Sequence, residues 1–314
     1  MKFDIFVDSS ANLTEEMIEE NGIGVVSYTC TVNGTDMECY EKGKPFKEIA
    51  KKFYDAMREG AETKTTLVNS EKIIEQVTPS LQAGKDVLFI TISSGISGTN
   101  AQAKAAAAQL KEKFPDRKMI VVDSYNASLG EGLFAVYAAQ LRDMGESIEA
   151  CAEWIEARQL NMNSAFTVSD LKYLRRGGRI SATKAIAGSI LNIKPILKAD
   201  GNGKISSAGN ERGRRKALAR LAQTFSEQVV NPENQIVCIS HADCEEDALL
   251  LADMIKARGA KDVVIQWYDI CTGSHVGPGT VALFFLGKER AKSAENKTAS
   301  ASPLRGLVAK MKGK

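Results

Sequence analysis

Two short runs constrain this chain more than anything else in it. Residues 86–92 read DVLFITI and residues 118–124 read KMIVVDS. Apolar residues that do not alternate with polar ones need burial on both faces, which a chain achieves in the middle of a sheet covered by helices on both sides. Each run is followed by a helical stretch, one Ala-rich at 99–114 and one at 127–144. Strand–helix–strand–helix alternation predicts a parallel, doubly wound sheet. FDIFV (3–7) adds another buried strand. Asn12 stands three residues before Glu15, at capping-box spacing, and predicts a helix from there to Gly22. GIGVVSYTCTV (22–32) reads as one strand running to the Asn33-Gly34 turn. Helices follow at 46–58, where Phe46, Ile49, Phe53 and Met57 keep helical spacing behind Pro45, and at 70–82.

The rhythm changes after a helix at 147–159. Strands are predicted at 164–168, 193–198, 204–209, 235–240, 263–269 and 280–286, with helices at 181–191, 213–229 and 244–258. The turn Asp200-Gly201-Asn202-Gly203 makes a hairpin of two of these strands. Hairpins beside helices predict a mixed sheet in a two-layer α/β unit. At roughly 150 residues per domain, the 314 residues divide into an N-terminal parallel α/β domain (1–157), a C-terminal mixed-sheet α/β domain (158–288) and a flexible basic tail (289–314). From Arg290 the chain carries seven basic residues against one acidic residue. Its end, LRGLVAKMKGK, also reads as a short basic amphipathic helix suited to transient membrane contact.

Composition excludes more than it assigns. Lys and Arg number 41 against 39 Asp and Glu, a net charge of +2 at pH 7, so no global field draws the chain to nucleic acid. Aromatic interleaving in the basic runs at 172–184 and 212–220 is poor, with Tyr173 alone, which disfavours a nucleic-acid groove. Neither GxxxxGK[ST] nor GxGxxG occurs. No stretch approaches the roughly 18 apolar residues of a membrane helix, and the N-terminus lacks a signal-peptide core, so a cytoplasmic protein is expected. Six cysteines without a CxxC pair read as small buried thiols, with no metal site.

In open α/β sheets, ligands bind outside the carboxyl ends of the strands. Three such ends carry hydroxyls: Asp8-Ser9-Ser10, the loop SSGISGT (93–99) and Asp123-Ser124. One such cluster would read as helix capping; three together point to a binding edge, and the Gly95/Gly98 loop offers backbone N–H groups to an anion. Ser97 sits in GISG rather than GxSxG. As a nucleophile it would need a histidine base, and only His241 and His275 exist. His275 lies among the glycines of GSHVGPG, where backbone can approach a ligand closely. LRRGGRIS reads either as a solvated loop or as a site for phosphate or carboxylate.

These segments, in this order, resemble the DegV family, which includes the fatty-acid-binding subunits of bacterial fatty acid kinase. The carrying residues are VDSSANL (7–13), TKTT (63–66), ISSGISGTNAQA (92–103), VVDSYNASLGEG (121–132), DLKYLRRGGRISATKAIAGSILNIKPIL (170–197), GNERGRRKAL (209–218), ISHADC (239–244) and GSHVGPGTVALFF (273–285). The resemblance implies the DegV fold and no catalysis of its own. It implies a tunnel between the domains for one long-chain fatty acid, such as palmitate, stearate or oleate, with no other cofactor. The carboxylate would be presented to a separate ATP-binding kinase subunit for acyl-phosphate formation. By match to the family's motifs, Thr65 and Ser97 hold the carboxylate, His275, Thr66 and Ser94 lie near the head group, and Arg179 and Arg212 are interface or network residues. The family's usual TSQP is here Thr65-Thr66-Leu67-Val68, and its early IPL segment is VVSYT. A stand-alone serine hydrolase or phosphotransferase built on Ser97, and a membrane or nucleic-acid adaptor built on the basic runs, are the competing readings.

Overall fold

The computed structural model describes residues 3–44, 46–180 and 192–291. The helix expected at 181–191, the Pro45 helix start and the tail from 292 onward lie outside the described residues. The first half runs β1 (Phe3–Asp8), α1 (Glu15–Asn21), β2 (Ile23–Val26), β3 (Thr29–Val32), β4 (Thr35–Glu38), α2 (Phe46–Arg58), β5 (Thr63–Thr66), α3 (Ser70–Gln82), β6 (Asp86–Thr91), α4 (Thr99–Lys113), β7 (Met119–Asp123), α5 (Leu129–Asp143) and α6 (Ile148–Glu156). The second half runs β8 (Met162–Thr167), α7 (Lys172–Arg176), β9 (Ile193–Ala199), β10 (Ile205–Arg212), α8 (Arg214–Gln228), β11 (Ile236–His241), α9 (Glu245–Lys256), β12 (Asp262–Trp267), α10 (Ile270–Val276) and β13 (Val281–Leu286).

The expected α/β architecture is present. One sheet is fully parallel in the order β2-β1-β6-β7, with the two apolar runs as its neighbouring strands β6 and β7. A second, mixed sheet has the order β10-β9-β8-β13-β11-β12. Only β11 and β12 pair in parallel there. α5 is apolar almost all round, and the reason is its position: it touches β1 and β6 of the first sheet and β8, β11 and β13 of the second. A smaller core lies under α8 and α9, with Phe225 and Phe285 edge to face.

Three expectations need correction. The strand read across 22–32 is two strands. β2 joins the parallel sheet, the chain breaks at Ser27-Tyr28, and β3 joins a separate antiparallel sheet, β4-β3-β5. The Asn33-Gly34 turn does link β3 to β4. Asn12 does not cap α1; Thr14 does, accepting from Met17 N–H at 3.1 Å. Asn12 instead takes a left-handed conformation and spends its amide on distant groups, accepting from Asp269 N–H at 2.8 Å and donating to Ser128 and Ser240. The segment around His275 is not a loop but the short helix α10, capped by Asp269.

Candidate functional site

The carboxyl ends of β1, β6 and β7 are tightly hydrogen-bonded, and their hydroxyls are not equivalent. Ser10 is tied to Asp8 and, at 3.1 Å, to Glu131. Ser9 Oγ accepts from Tyr28 N–H, and Ser124 donates to the Asn126 carbonyl. These three hydroxyls hold the strand ends together. The loop after β6 instead faces a cavity with about 1020 Å³ free of protein atoms, counted out to its opening. Its lining comes from both halves of the chain and is largely apolar, including Ile92, Ile96, Phe166, Leu174, Ile205 and Phe284. An apolar lining with a few polar groups suits a small-molecule site.

The Asp200–Gly203 hairpin closes one side. Its backbone docks on the SSGISGT loop, where Ser93 Oγ donates to the Gly203 carbonyl at 2.8 Å. A Cβ on Gly203 would lie 2.1 Å from Ser93 Oγ, and one on Gly95 would lie 2.7 Å from the Asn202 carbonyl oxygen. This close approach explains glycine at both positions.

Polar groups collect in two couples. In the first, Tyr28 hydroxyl lies 3.2 Å from Ser97 Oγ and 2.5 Å from Thr99 Oγ1, and Ser97 Oγ lies 3.1 Å from Thr99 Oγ1. Burial pushes the Tyr28 phenol well above its usual range, with the Asp8 carboxylate adding to the effect, so it stays a neutral donor. In the second, Thr65 Oγ1 on β5 lies 2.8 Å from His275 Nε2 on α10. Burial, with Arg179 and Arg176 adding to it, lowers the His275 pKa to about 4, so the ring is neutral at pH 7. Its other edge packs on Gly177, where a Cβ would lie 2.4 Å from Nδ1.

Thr65, Arg179 and His275 line both this cavity and the adjoining surface cleft with Lys64 and Arg176, so they stand at its mouth. Arg179 donates Nε to the Ile96 carbonyl at 3.1 Å and an Nη1 bond to the Gly177 carbonyl, clipping the β6 loop to the glycine turn. Thr66 and Ser94 are exposed and do not line the cavity; Ser94 N–H is held by Asp123. Arg212 is exposed at the end of β10, paired in register with Ile193. His241 is buried against Trp267, with ring centroids 4.9 Å apart, away from the cavity lining. Ser97 bonds to Tyr28 and Thr99 while His275 bonds to Thr65, so among the described residues no histidine bonds to the serine as a hydrolase pair requires. Tyr28 is a lining group that sequence reasoning missed, because 22–32 read as one strand; Thr99 was seen only as part of the SSGISGT loop.

A family model described as "Uncharacterised protein, DegV family" matches residues 2–288. A DegV domain-containing protein of Clostridium perfringens is 38% identical over 287 residues, covering 91% of this chain and 98% of the relative. A DegV-family protein of Ruminococcus gnavus, solved with vaccenic acid, superposes with a TM-score of 0.82 at 25% identity, covering 90% of this chain and 99% of that one. A Thermus thermophilus DegV-family structure described by its fatty acid binding gives a TM-score of 0.80 at 26% identity, covering 92% and 100%. No described helix is long and apolar enough to cross a membrane. A match over nearly the whole length, with a relative of this identity beside it, means that the chain belongs to the DegV family.

Proposed function

We propose that this protein binds one long-chain fatty acid between an N-terminal domain (1–157) and a C-terminal domain (158–288), and presents the carboxylate to a separate kinase subunit for conversion to an acyl-phosphate. The observation that carries the reading is one apolar cavity lined by two hydroxyl couples, Thr65–His275 at its mouth and Ser97–Tyr28. An acyl chain of about 14 methylenes contributes on the order of 10 kcal/mol on burial, at about 0.8 kcal/mol each. Hydrogen bonds to a carboxylate add about 1.5–3 kcal/mol each. The chain therefore dominates affinity, and Thr65, Ser97 and His275 set where the head group stops. Lipid-bound relatives from Ruminococcus gnavus and Thermus thermophilus support the ligand class. The kinase step rests on the sequence resemblance and on the lack of a paired base for Ser97.

Mass spectrometry of the denatured protein should release an acyl chain, and delipidated protein should take up oleate with one-to-one stoichiometry. Absence of both signals would sink the reading. With ATP and a fatty acid kinase subunit, the loaded protein should yield acyl-phosphate. The double variant Thr65→Ala/Ser97→Ala should lose most of that yield; full yield would reject these two residues as the carboxylate site.

A further inference from the structure

One helical turn before His275, α10 carries Cys271, and there three thiols meet. Cys30 lies on β3 opposite Met37, and Cys39 extends the β3–β4 ladder two residues beyond Met37, so both side chains lie on one face of that sheet. α10 packs against the same sheet, touching β3 and β5. All three cysteines are buried. The sulfurs of Cys39 and Cys271 and one carboxylate oxygen of Asp269 all lie within 4.8 Å of one another.

Asp269 makes this more than a patch of thiols. It is 3% exposed. Its Oδ1 accepts from Thr272 N–H at 2.9 Å as the cap of α10. Its Oδ2 accepts no bond from any described residue. The Thr272 hydroxyl is near enough to favour the ionised carboxyl but lies outside hydrogen-bond geometry and is itself unpartnered. A buried carboxylate with one oxygen left open, in a cluster with two sulfurs, is an unfavourable arrangement unless something positive completes it. A route to it exists. A second cavity, with about 680 Å³ free of protein atoms, is lined by Asp8, Cys39 and Asp269, with Glu15, Glu38 and Glu41 also on its walls. The one lysine among them, Lys44, is paired with Glu41 at 2.5 Å.

We propose that Cys39, Cys271 and Asp269 form a binding site for a thiophilic divalent cation of the zinc class, entered through this acid-lined cavity. Two sulfurs and a carboxylate oxygen suit zinc rather than magnesium or calcium, which take oxygen alone. Ligands about 2.3 Å from a tetrahedral ion stand about 3.8 Å from one another, so the cluster closes on an ion with small side-chain movements. The ion replaces the two thiol protons, which leave to solvent. Two thiolates, one carboxylate and a dication then carry one net negative charge, and Cys30 remains a thiol. Because Cys271 also lines the first cavity, the bound ion would tie the helix bearing His275 to the sheet bearing Thr65.

The test uses the full-length, reduced, chelator-treated protein, with and without oleate. Titration with Zn²⁺ against a chromophoric chelator should show one tight equivalent. Co²⁺ should give thiolate-to-metal charge-transfer absorption. Cys39→Ser and Cys271→Ser should each weaken Zn²⁺ binding at least tenfold and lose that band, while Cys151→Ser and Cys238→Ser keep both. No stoichiometric Zn²⁺ uptake, or equal uptake by all four variants, overturns the site. Recovery of Cys39 and Cys271 from air-handled protein as a disulfide that Zn²⁺ does not prevent also overturns it. Should either ligand variant fail to fold, the wild-type Co²⁺ spectrum decides: without thiolate charge transfer the proposal fails. Oleate uptake is scored separately on the metal-free protein, so failure of one reading leaves the other measurable.

Discussion

Gly177→Ala separates the role of His275 from the stability of the fold around it. Gly177 has φ −72° and ψ −11°, a conformation alanine adopts without strain. The added Cβ, however, lies 2.4 Å from His275 Nδ1 and 3.2 Å from its Cε1. Carbon contacts are comfortable near 3.5 Å, so the ring must retreat by about 1 Å. Its Nε2 is 2.8 Å from Thr65 Oγ1, and a retreat of that size breaks the bond and takes a donor from the head group. The expected loss is one hydrogen bond to a charged group, about 1.5–3 kcal/mol, which is about 10- to 150-fold in fatty-acid affinity. Overpacking against the ring costs about 1–3 kcal/mol of stability, offset in part by the gain of about 0.4–1 kcal/mol that alanine brings through the unfolded chain. Gly178→Ala is the control. Gly178 has φ +71° and nothing within 4 Å of its added Cβ, so it should lose about 1–2 kcal/mol of stability and keep its affinity. Displacement of a fluorescent fatty acid by oleate reads affinity, and urea unfolding reads stability. Affinity within twofold of wild type in Gly177→Ala would refute the role given to the ring. An equal affinity loss in Gly178→Ala would assign the effect to the turn backbone instead.

Shortening a saturated fatty acid by two methylenes should weaken binding by about 1.6 kcal/mol, or about 15-fold; a flat series in calorimetric titration would contradict chain-dominated affinity. His275 titrates at about 4 when folded and near 6.5 when unfolded. The unfolded chain therefore binds more protons between these values, and stability is lost as pH falls through that window. Between pH 7 and pH 4.5 the ligand-free wild type should lose about 2–3 kcal/mol more than His275→Asn in urea unfolding, and parallel losses would refute the assignment. Glu131 is fully buried with Oε1 unpartnered among the described residues, and burial followed by Asp8 raises its pKa well above the usual carboxyl range. A raised carboxyl pKa contributes stability below the unfolded value that is lost as pH rises, so Glu131→Gln should gain on wild type from pH 4 to pH 8. A constant difference between the two would count against it.

The sequence made the double-wound frame legible because burial on both faces leaves a strong mark. β6 and β7 stand within a residue or two of the apolar runs that announced them. The β4-β3-β5 sheet left almost none. TDME and TKTT are short and polar, and half or more of each is exposed, so neither alternates clearly. α10 is seven residues long and contains glycine and threonine, both weak helix formers, so its periodicity was invisible. Asn12 misled for a physical reason: its amide is worth more to Asp269 and Ser240, more than two hundred residues away, than to the nearest helix end. The cavity shows the same limit. Ser97 and His275 were visible as residues in unusual glycine settings, but Tyr28 and Thr99 take their place only through a junction between two sheets. The glycines of LRRGGRIS were visible as a turn, while the reason for Gly177, the histidine ring against it, was not.

The charges around the mouth bear on why a carrier would hold its ligand this way. Arg179 is the nearest cation to suit a carboxylate, yet its guanidinium donates to the Ile96 and Gly177 carbonyls. The side chains matched to the head group are neutral: Thr65, Ser97, and a His275 whose protonation is opposed by burial and by Arg179 and Arg176. A direct Arg–carboxylate fork would bind more strongly, but it would also occupy the oxygens and draw off the charge that attack on a phosphoryl group requires. Under the proposed function, neutral donors would fix the head group while leaving it nucleophilic, and the acyl chain would supply the affinity they forgo. Converting one of these neutral donors to a charged one should therefore separate binding from transfer. Thr65→Lys should retain or tighten oleate while acyl-phosphate yield per bound oleate falls. If yield and occupancy change in proportion, the neutrality of the site has no part in the transfer step.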